Sequence, residues 1–413
     1  MTASQPPIAV APAQPGYRPP DARGSSEMAP RSMWLQALRE TFARPGAQFG
    51  RVWVVLLAFF GVFAPILANS YPILVKSKAG QVFSPMLANL FPIDFTLIAV
   101  FMAALILWGT GRFSFLKSLL TILAIGVVTF LIAKAVCNPD PTPQYDEYRR
   151  REVAGEFSSV IRTIVPYSPN DRLRDRGDQA LLPPSRQYWL GTTEFGEDML
   201  SRMLAACRIA LTIGFISTTI ATMIGVSYGA LMGYNGGTID LLGMRFIEIV
   251  EAIPRLILLL IVTVSFGRSL YLMMVVIGLV SWTSDARFVR AEFMKLRKLD
   301  FVQAAVAVGL PRWSVLFRHM LPNGIAPVLV NASFGVAGAI LLESVLSFLG
   351  LGLGPDDPSW GQMLEQARKG GRGFNWWIAV FPGVAIFLTV FSYILIGEAA
   401  RDAIDPKLKK LRD

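Results

Sequence analysis

The sequence predicts an all-α, polytopic membrane protein, and three observations carry that prediction. Of 413 residues, 53% are hydrophobic and only 16% charged, more apolar than a soluble core of this length requires. The apolar residues gather in about eight stretches that can cross a bilayer core, which takes about 20 helical residues because buried backbone must bond within its own segment. Short basic segments separate the stretches. Although net charge is +10, no basic stripe interleaved with aromatics marks a nucleic-acid surface.

Taken in order, residues 1–45 open with MTASQPPIAVAPAQPG and lack the basic-then-apolar order of a cleavable signal. They read as a disordered tail or, alternatively, a Pro-rich partner-binding segment. Spans follow at 52–68, 93–110, 117–136, 206–233, 245–266, 270–286, 325–347 and 377–397. Region 46–136 therefore holds a first span and a hairpin of two more. The fifth span carries Glu248, Glu251 and Arg255 in its first half. Mid-membrane charge costs about 2.5–3.5 kcal/mol on insertion scales, so these residues belong near an aqueous end or against other helices. Residues 137–190, from CNPDPTPQYDEYRRREV, are too polar and Pro-rich to cross; they predict irregular chain with a short helix near 145–163. Trp376 and Trp377 open the last span either as an interfacial anchor or as helix packing. Residues 401–413 form a polar tail.

Basic residues set the orientation. Segment 284–323 holds seven Lys or Arg and the chain up to Arg51 holds six. Both belong in the cytoplasm, which an even number of spans permits, and 137–190 then lies outside; long loops translocate largely regardless of charge.

One stretch is out of character. Residues 299–322 read LDFVQAAVAVGLPRWSVLFRHMLP. Val302, Ala305 and Val308 recur at spacings of three and predict one apolar face on a short helix. Gly309 can end that helix, and Pro311 suits the start of the next, which should stop near Pro322. This cytoplasmic helix–turn–helix, within 287–323, is either a connector lying in the headgroup zone on Trp313, Leu316 and Phe317 or a docking surface for another protein.

Catalytic chemistry is hard to place. No G-x-x-x-x-G-K-[ST] occurs; Lys76-Ser77 and Lys117-Ser118 lack the preceding glycines that would cradle phosphate. His319 is the single histidine, so neither a His-based metal site nor a Ser-His pair is predicted, and the metal set is empty. Cys137 and Cys207 are too few for a multi-Cys site, though they fall near one predicted membrane face and a disulfide between them is a minor alternative. Glu343 and Glu248 are either proton or cation sites, as in a secondary transporter, or paired carboxylates at helix ends.

The stretch at 299–322 resembles the conserved cytoplasmic loop of permease subunits of ATP-binding-cassette importers, in which E-A-A is followed by three residues, Gly, nine residues, Ile, one residue and Leu-Pro. Ala304, Ala305, Gly309, Leu321 and Pro322 fall at that spacing, while Gln303 replaces the Glu and His319 the Ile. The resemblance covers about 190–408. GTTEFGEDMLSRMLAACRIAL from Gly191 is similar to the segment before the first core span, with Thr193 and Glu197 where Asp and Arg are usual. MGYNGGTID at 232–240, LLESVLSFLGLGLGPDDPSWGQML at 341–364 and the closing FPGVAIFLTVFSYILIGEAARDAIDPKL are similar too. Relatives usually have one span before the external loop, so 93–136 looks like an inserted hairpin, for packing against a partner subunit or a direct substrate role.

The resemblance implies a type I importer permease core over 191–400, similar to the C-type subunit of dipeptide or oligopeptide transporters. It implies a multi-pass protein of the bacterial inner membrane with both termini cytoplasmic. Its partners would be a second homologous permease, two ATPase subunits holding ATP and Mg, and an extracytoplasmic binding protein; no cofactor is expected in this chain. Gln303, Ala304, Ala305, Gly309, Leu310, Pro311 and Arg312 would form the ATPase-coupling site. Pro358, Ser359, Trp360 and Gly361 would form an external gate or docking loop. A proton-coupled secondary transporter acting alone is the alternative.

Overall fold

The computed structural model describes residues 39–110, 115–137, 139, 143–369 and 375–404. Most of the Pro-rich tail and all of the C-terminal tail beyond Ile404 lie outside these residues. Inside them, residues 39–43 are already helical, so the expected tail ends earlier than residue 45. At the other end the last helix runs on to Ile404.

Helix α1 (Pro45–Leu67) starts with Pro in its first turn, where a missing amide proton costs little. A small β-hairpin follows, β1 (Leu74–Ser77) and β2 (Val82–Phe83), and then α2 (Pro85–Asn89), which Ser84 caps by accepting from the Leu87 amide. Helices α3 (Pro92–Thr110) and α4 (Phe115–Val136) form the inserted hairpin. The polar loop adds α5 (Glu147–Val153) and β3 (Phe157–Ile161). Strand β3 pairs antiparallel with β1, Val75 opposite Val160, to give the order β2-β1-β3. This sheet corrects the expectation of irregular chain with a helix across 145–163: the helix is seven residues long and strand replaces its second half.

The core comprises α6 (Met199–Asn235), α7 (Gly237–Glu251), α8 (Arg255–Phe266), α9 (Leu270–Leu296), α10 (Asp300–Ala307), α11 (Arg312–Phe348), α12 (Trp360–Lys369) and α13 (Trp376–Ile404). Among the described residues six helices are long and apolar enough to cross a membrane: α1, α4, α6, α9, α11 and α13. The expected fifth span is instead the pair α7 and α8, bent by 65° at the Ala252–Pro254 break. That bend puts Glu248 and Glu251 on the separate short helix α7 and Arg255 at the start of α8. The expected second span is α3, whose described apolar part, Pro92–Leu107, is shorter than the six.

Packing distinguishes central from peripheral helices. In α9, 61% of the apolar window is buried, against 17% in α4, whose Leu120, Leu123, Val127 and Leu131 point outward as lipid-facing residues do. Gly225, Gly229 and Gly233 put one bare face of α6 against α9. A Cβ on Gly229 would come within 2.4 Å of the Ala286 carbonyl oxygen, so the two backbones touch as in small-xxx-small pairs of membrane helices.

Candidate functional site

Two clusters lie at opposite ends of α6, a helix about 55 Å long at about 1.5 Å per residue. At the Asn235 end, Arg297 Nη1 donates to the Tyr234 carbonyl at 2.9 Å, satisfying one of the acceptors a helix end leaves open. Arg290 Nη2 donates to Asp240 Oδ2 at 2.6 Å. The α6–α7 turn is thereby fixed to α9, and α9 delivers the chain into α10.

Helix α10 holds itself there by Val302 and Ala305, which pack with Phe293, Val315 and Met320. Val308, the third residue of the predicted face, is instead 81% exposed. The cause is the turn. Leu310 N donates to Ala305 O at 3.2 Å and Gly309 N to Val306 O at 2.9 Å, the paired bonds of a Schellman ending. Gly309 has φ +81° with open space where a Cβ would stand, so backbone conformation is what requires glycine there. Gln303, Ala304, Gly309, Leu310, Pro311 and Arg312 are all exposed, and Ala305 is buried. Trp313 and Phe317 stack at 5.6 Å on the same outer surface.

The second helix of this loop does not stop near Pro322 as expected. It continues as α11 through a π-turn over Val315–Met320. The wider turn lies just ahead of Pro322, whose ring would otherwise press on the carbonyl four residues back. Asn323 Nδ2 donates to the His319 carbonyl at 2.6 Å. The exposed turn is therefore rigidly continuous with a membrane-spanning helix.

At the Met199 end of α6 the expected gate residues are found inside the protein. Pro358, Ser359, Trp360 and Gly361 are all buried. Trp360 packs against Met199, Met363 and Trp377, and a Cβ on Gly361 would come within 2.4 Å of the Ser344 carbonyl. Outward exposure falls to Pro355 and Asp356 at the tip. Arg202 holds the tip down: Nη2 donates to the Pro355 carbonyl at 3.2 Å and to Gln362 Oε1 at 2.8 Å, and Nη1 to the Pro169 carbonyl at 3.2 Å. Its counter-ion is Glu197, 2.8 Å away. Burial pushes the Glu197 carboxyl up, against the pull of Arg202. Thr193 and Glu197, the departures in the segment before the first core span, are joined by a 3.1 Å hydrogen bond from Thr193 Oγ1 to Glu197 Oε2. A carboxylate at 197 thus answers Arg202.

Other expected alternatives resolve. Cys137 and Cys207 are both free. Trp377 is interior, its Nε1 donating to the Thr192 carbonyl at 3.3 Å, while Trp376 is exposed. Glu248 is exposed and paired with Arg245 at 2.6 Å; Glu343 is buried and accepts from Ser347 Oγ at 2.7 Å. Arg202, Arg208 and Asp285 were missed as site residues. The rule that singled out Glu248 and Glu343, charge within an apolar span, also applies to Arg208 and Asp285, whereas Arg202 precedes the span predicted from residue 206.

Residues 225–410 match the family described as binding-protein-dependent transport system inner membrane component. The dipeptide transport system permease protein DppC of Alkalihalophilus pseudofirmus is 37% identical over 226 residues, 55% of this chain and 74% of that protein. The oligopeptide transport system permease protein OppC of Haemophilus influenzae is 38% identical over 252 residues, 61% of this chain and 80% of that protein. The chain belongs to this family of inner-membrane permeases. Among solved structures, the inward-facing MetNI methionine ABC transporter covers 50% of this permease and 98% of its own chain at 20% identity and a TM-score of 0.40. The matched permease region contains the whole Gln303–Arg312 turn and the Pro358–Gly361 lock.

Proposed function

We propose that this permease is one membrane subunit of an ATP-driven importer of dipeptides or oligopeptides in the bacterial inner membrane. Substrate arrives on an extracytoplasmic binding protein and crosses between this chain and a second homologous permease. Two partner ATPases bind and hydrolyse ATP, and one of them docks on the turn from Gln303 to Arg312. The observation that carries the reading is that turn's construction: an exposed apolar tip, Val308 with Trp313 and Phe317, fused to the membrane helices α9 and α11 on either side. A push on such a tip re-aims the helices as rigid bodies, the motion that alternating access needs. Both termini and α10 are on the cytoplasmic side in this reading, and the peptide specificity is carried over from the similar permeases.

The test is co-purification from membranes of cells expressing the neighbouring genes. A tag on this chain should retain an ATPase whose activity rises with peptide-loaded binding protein. Val308→Arg and Gly309→Pro should release the ATPase while the permease accumulates normally. Retention of the ATPase and of uptake in both variants sinks the coupling assignment. Uptake that survives ATP depletion but collapses with an uncoupler would instead favour a proton-coupled secondary transporter.

A further inference from the structure

A cavity of about 540 Å³ lies among α6, α8, α9 and α11, within the size range of sites that enclose small molecules. Leu342 and Phe334 are among its apolar walls, and its polar lining includes Asp285, Asn331, Thr218 and Arg255 together with Ser217, Ser281 and Ser284. At about 1.5 Å per residue, Asp285 sits about 22 Å from the start of α9 and about 16 Å from its end, well inside a helix of the membrane bundle.

Asp285 is only 8% exposed. Thr222 Oγ1 donates to Oδ2 at 3.0 Å and Asn331 Nδ2 to Oδ1 at 2.6 Å. Both donors are neutral, each carboxylate oxygen keeps a further lone pair, and among the described residues no Lys or Arg forms an ion pair with it. The contrast with buried Arg202 and half-buried Arg208 is plain: each of those charges has a carboxylate partner. Thr218, 6% exposed, lines the same cavity, and its buried Oγ1 has no hydrogen-bond partner among the described residues. A carboxylate without a counter-ion beside an unpartnered hydroxyl is a half-built site for a cationic donor group. Gly225 of α6 lets the Asp285 Cβ pack close, since a Cβ on that glycine would come within 2.4 Å of it. Arg255, on the same cavity, brings the opposite charge. That balance favours a zwitterion over a bare metal cation.

We propose that Asp285 receives the free ammonium group of the peptide during its passage through this cavity, with Thr218 Oγ1 accepting a second of its protons. The inference rests on the peptide-import reading. It makes the permease itself, and not the binding protein alone, selective for substrates with an unblocked amine.

The test uses the native cell, where the chain meets its own partners, with chromosomal Asp285→Asn and Asp285→Glu variants matched to wild type in membrane abundance. Labelled tri-alanine and N-acetyl-tri-alanine are compared in uptake. Wild type should import the free-amine peptide faster by about tenfold or more, as the loss of one charge-assisted hydrogen bond implies. Asp285→Asn should bring the ratio to near one by slowing tri-alanine alone, and Asp285→Glu should restore a preference. An unchanged ratio in Asp285→Asn overturns the inference, and so does an equal loss of both peptides, which reports structure only. If wild type imports neither peptide faster than a strain lacking the gene, the peptide-import reading fails separately. The cation site is then decided on Thr218→Cys in a background without Cys137 and Cys207. A trimethylammonium-ethyl methanethiosulfonate should modify Thr218→Cys several-fold faster than the sulfonato-ethyl reagent, with the difference removed by Asp285→Asn; equal rates in both backgrounds overturn the site.

Discussion

Gln303 Nε2 donates a hydrogen bond to the backbone carbonyl of Arg297 at 2.7 Å. Gln303 lies in α10 and Arg297 caps the end of α9, so this bond joins the exposed turn to the helix that carries it. The importer motif usually has Glu here, and an ionised carboxylate cannot donate to a carbonyl. Gln303 remains exposed, and its Oε1 is still open to a partner.

Gln303→Glu should therefore loosen α10 by about 0.5–1.5 kcal/mol, the net worth of one hydrogen bond. Hydrogen exchange of the amides from 302 to 308 should quicken up to about tenfold, with the rest of α9 unaffected. Gln303→Leu should do the same, since it too lacks the donor. Unchanged exchange in both variants would mean that the bond contributes nothing to holding α10.

Arg202 is the strongest candidate for a residue on which the outer end depends. Neither it nor Glu197 meets solvent, and breaking such a pair strands the remaining charge at a cost of about 3–5 kcal/mol. Glu197→Gln should lower the melting temperature of the purified permease and expose the loop around Pro355 to proteolysis. Arg202→Met with Glu197→Leu should recover part of the loss, because no buried charge is then unpaired. A double variant as unstable as the single one would assign the effect to the carbonyls that Arg202 also binds.

Much of this was legible in the sequence, and the misses have physical causes. Spacing identified Val302 and Ala305 correctly because a helix repeats every 3.6 residues; it failed at Val308 because Gly309 ends the helix there. Pro322 signalled a stop that a π-turn absorbed. The pairing of Leu74–Ser77 with Phe157–Ile161 joins strands separated by the whole inserted hairpin, and no local pattern encodes a contact of that range. Pro358–Gly361 were expected in an external gate or docking loop because of the importer resemblance; the close approach to Ser344 that demands Gly361 exists only in three dimensions. Asp285 stood within a predicted span, but its partners Thr222 and Asn331 come from other helices.

Acid should loosen the segment from Glu147 to Arg176. Arg149 is buried and bidentate, with Nη1 on Asp171 Oδ2 at 2.6 Å and Nη2 on Asp175 Oδ1 at 2.7 Å. The hydrogen bond from Arg149 holds the Asp175 carboxyl below its ordinary value of 3.8. A carboxyl lowered on folding adds stability above the unfolded value and loses it as pH falls through the folded one. Exchange protection over 147–176 should thus be constant from neutral pH to about pH 4 and fall below it. Arg149→Met should start lower and lose that acid dependence; if the drop persists in Arg149→Met, another carboxylate governs it.

Among the described residues, the inserted hairpin meets the bundle at one ion pair. Arg208 Nη1 of α6 contacts Asp94 Oδ1 of α3 at 2.6 Å, while its Nε donates to the Gly61 carbonyl of α1 at 2.9 Å. Asp94 is nearly buried and Arg208 partly exposed, and their contact is a charge-assisted hydrogen bond. Removing Asp94 leaves Arg208 bonded to α1 but deprives α3 of its polar anchor, at about 1–3 kcal/mol for the unmade bond. Asp94→Ala should raise hydrogen exchange in α3 and α4 while α6, α9 and α11 keep theirs. Uptake should persist if the hairpin serves only to pack, since the Asp285 cavity and the Gln303–Arg312 turn draw no residue from it. Loss of uptake with an intact core exchange pattern would give the hairpin a part in transport itself.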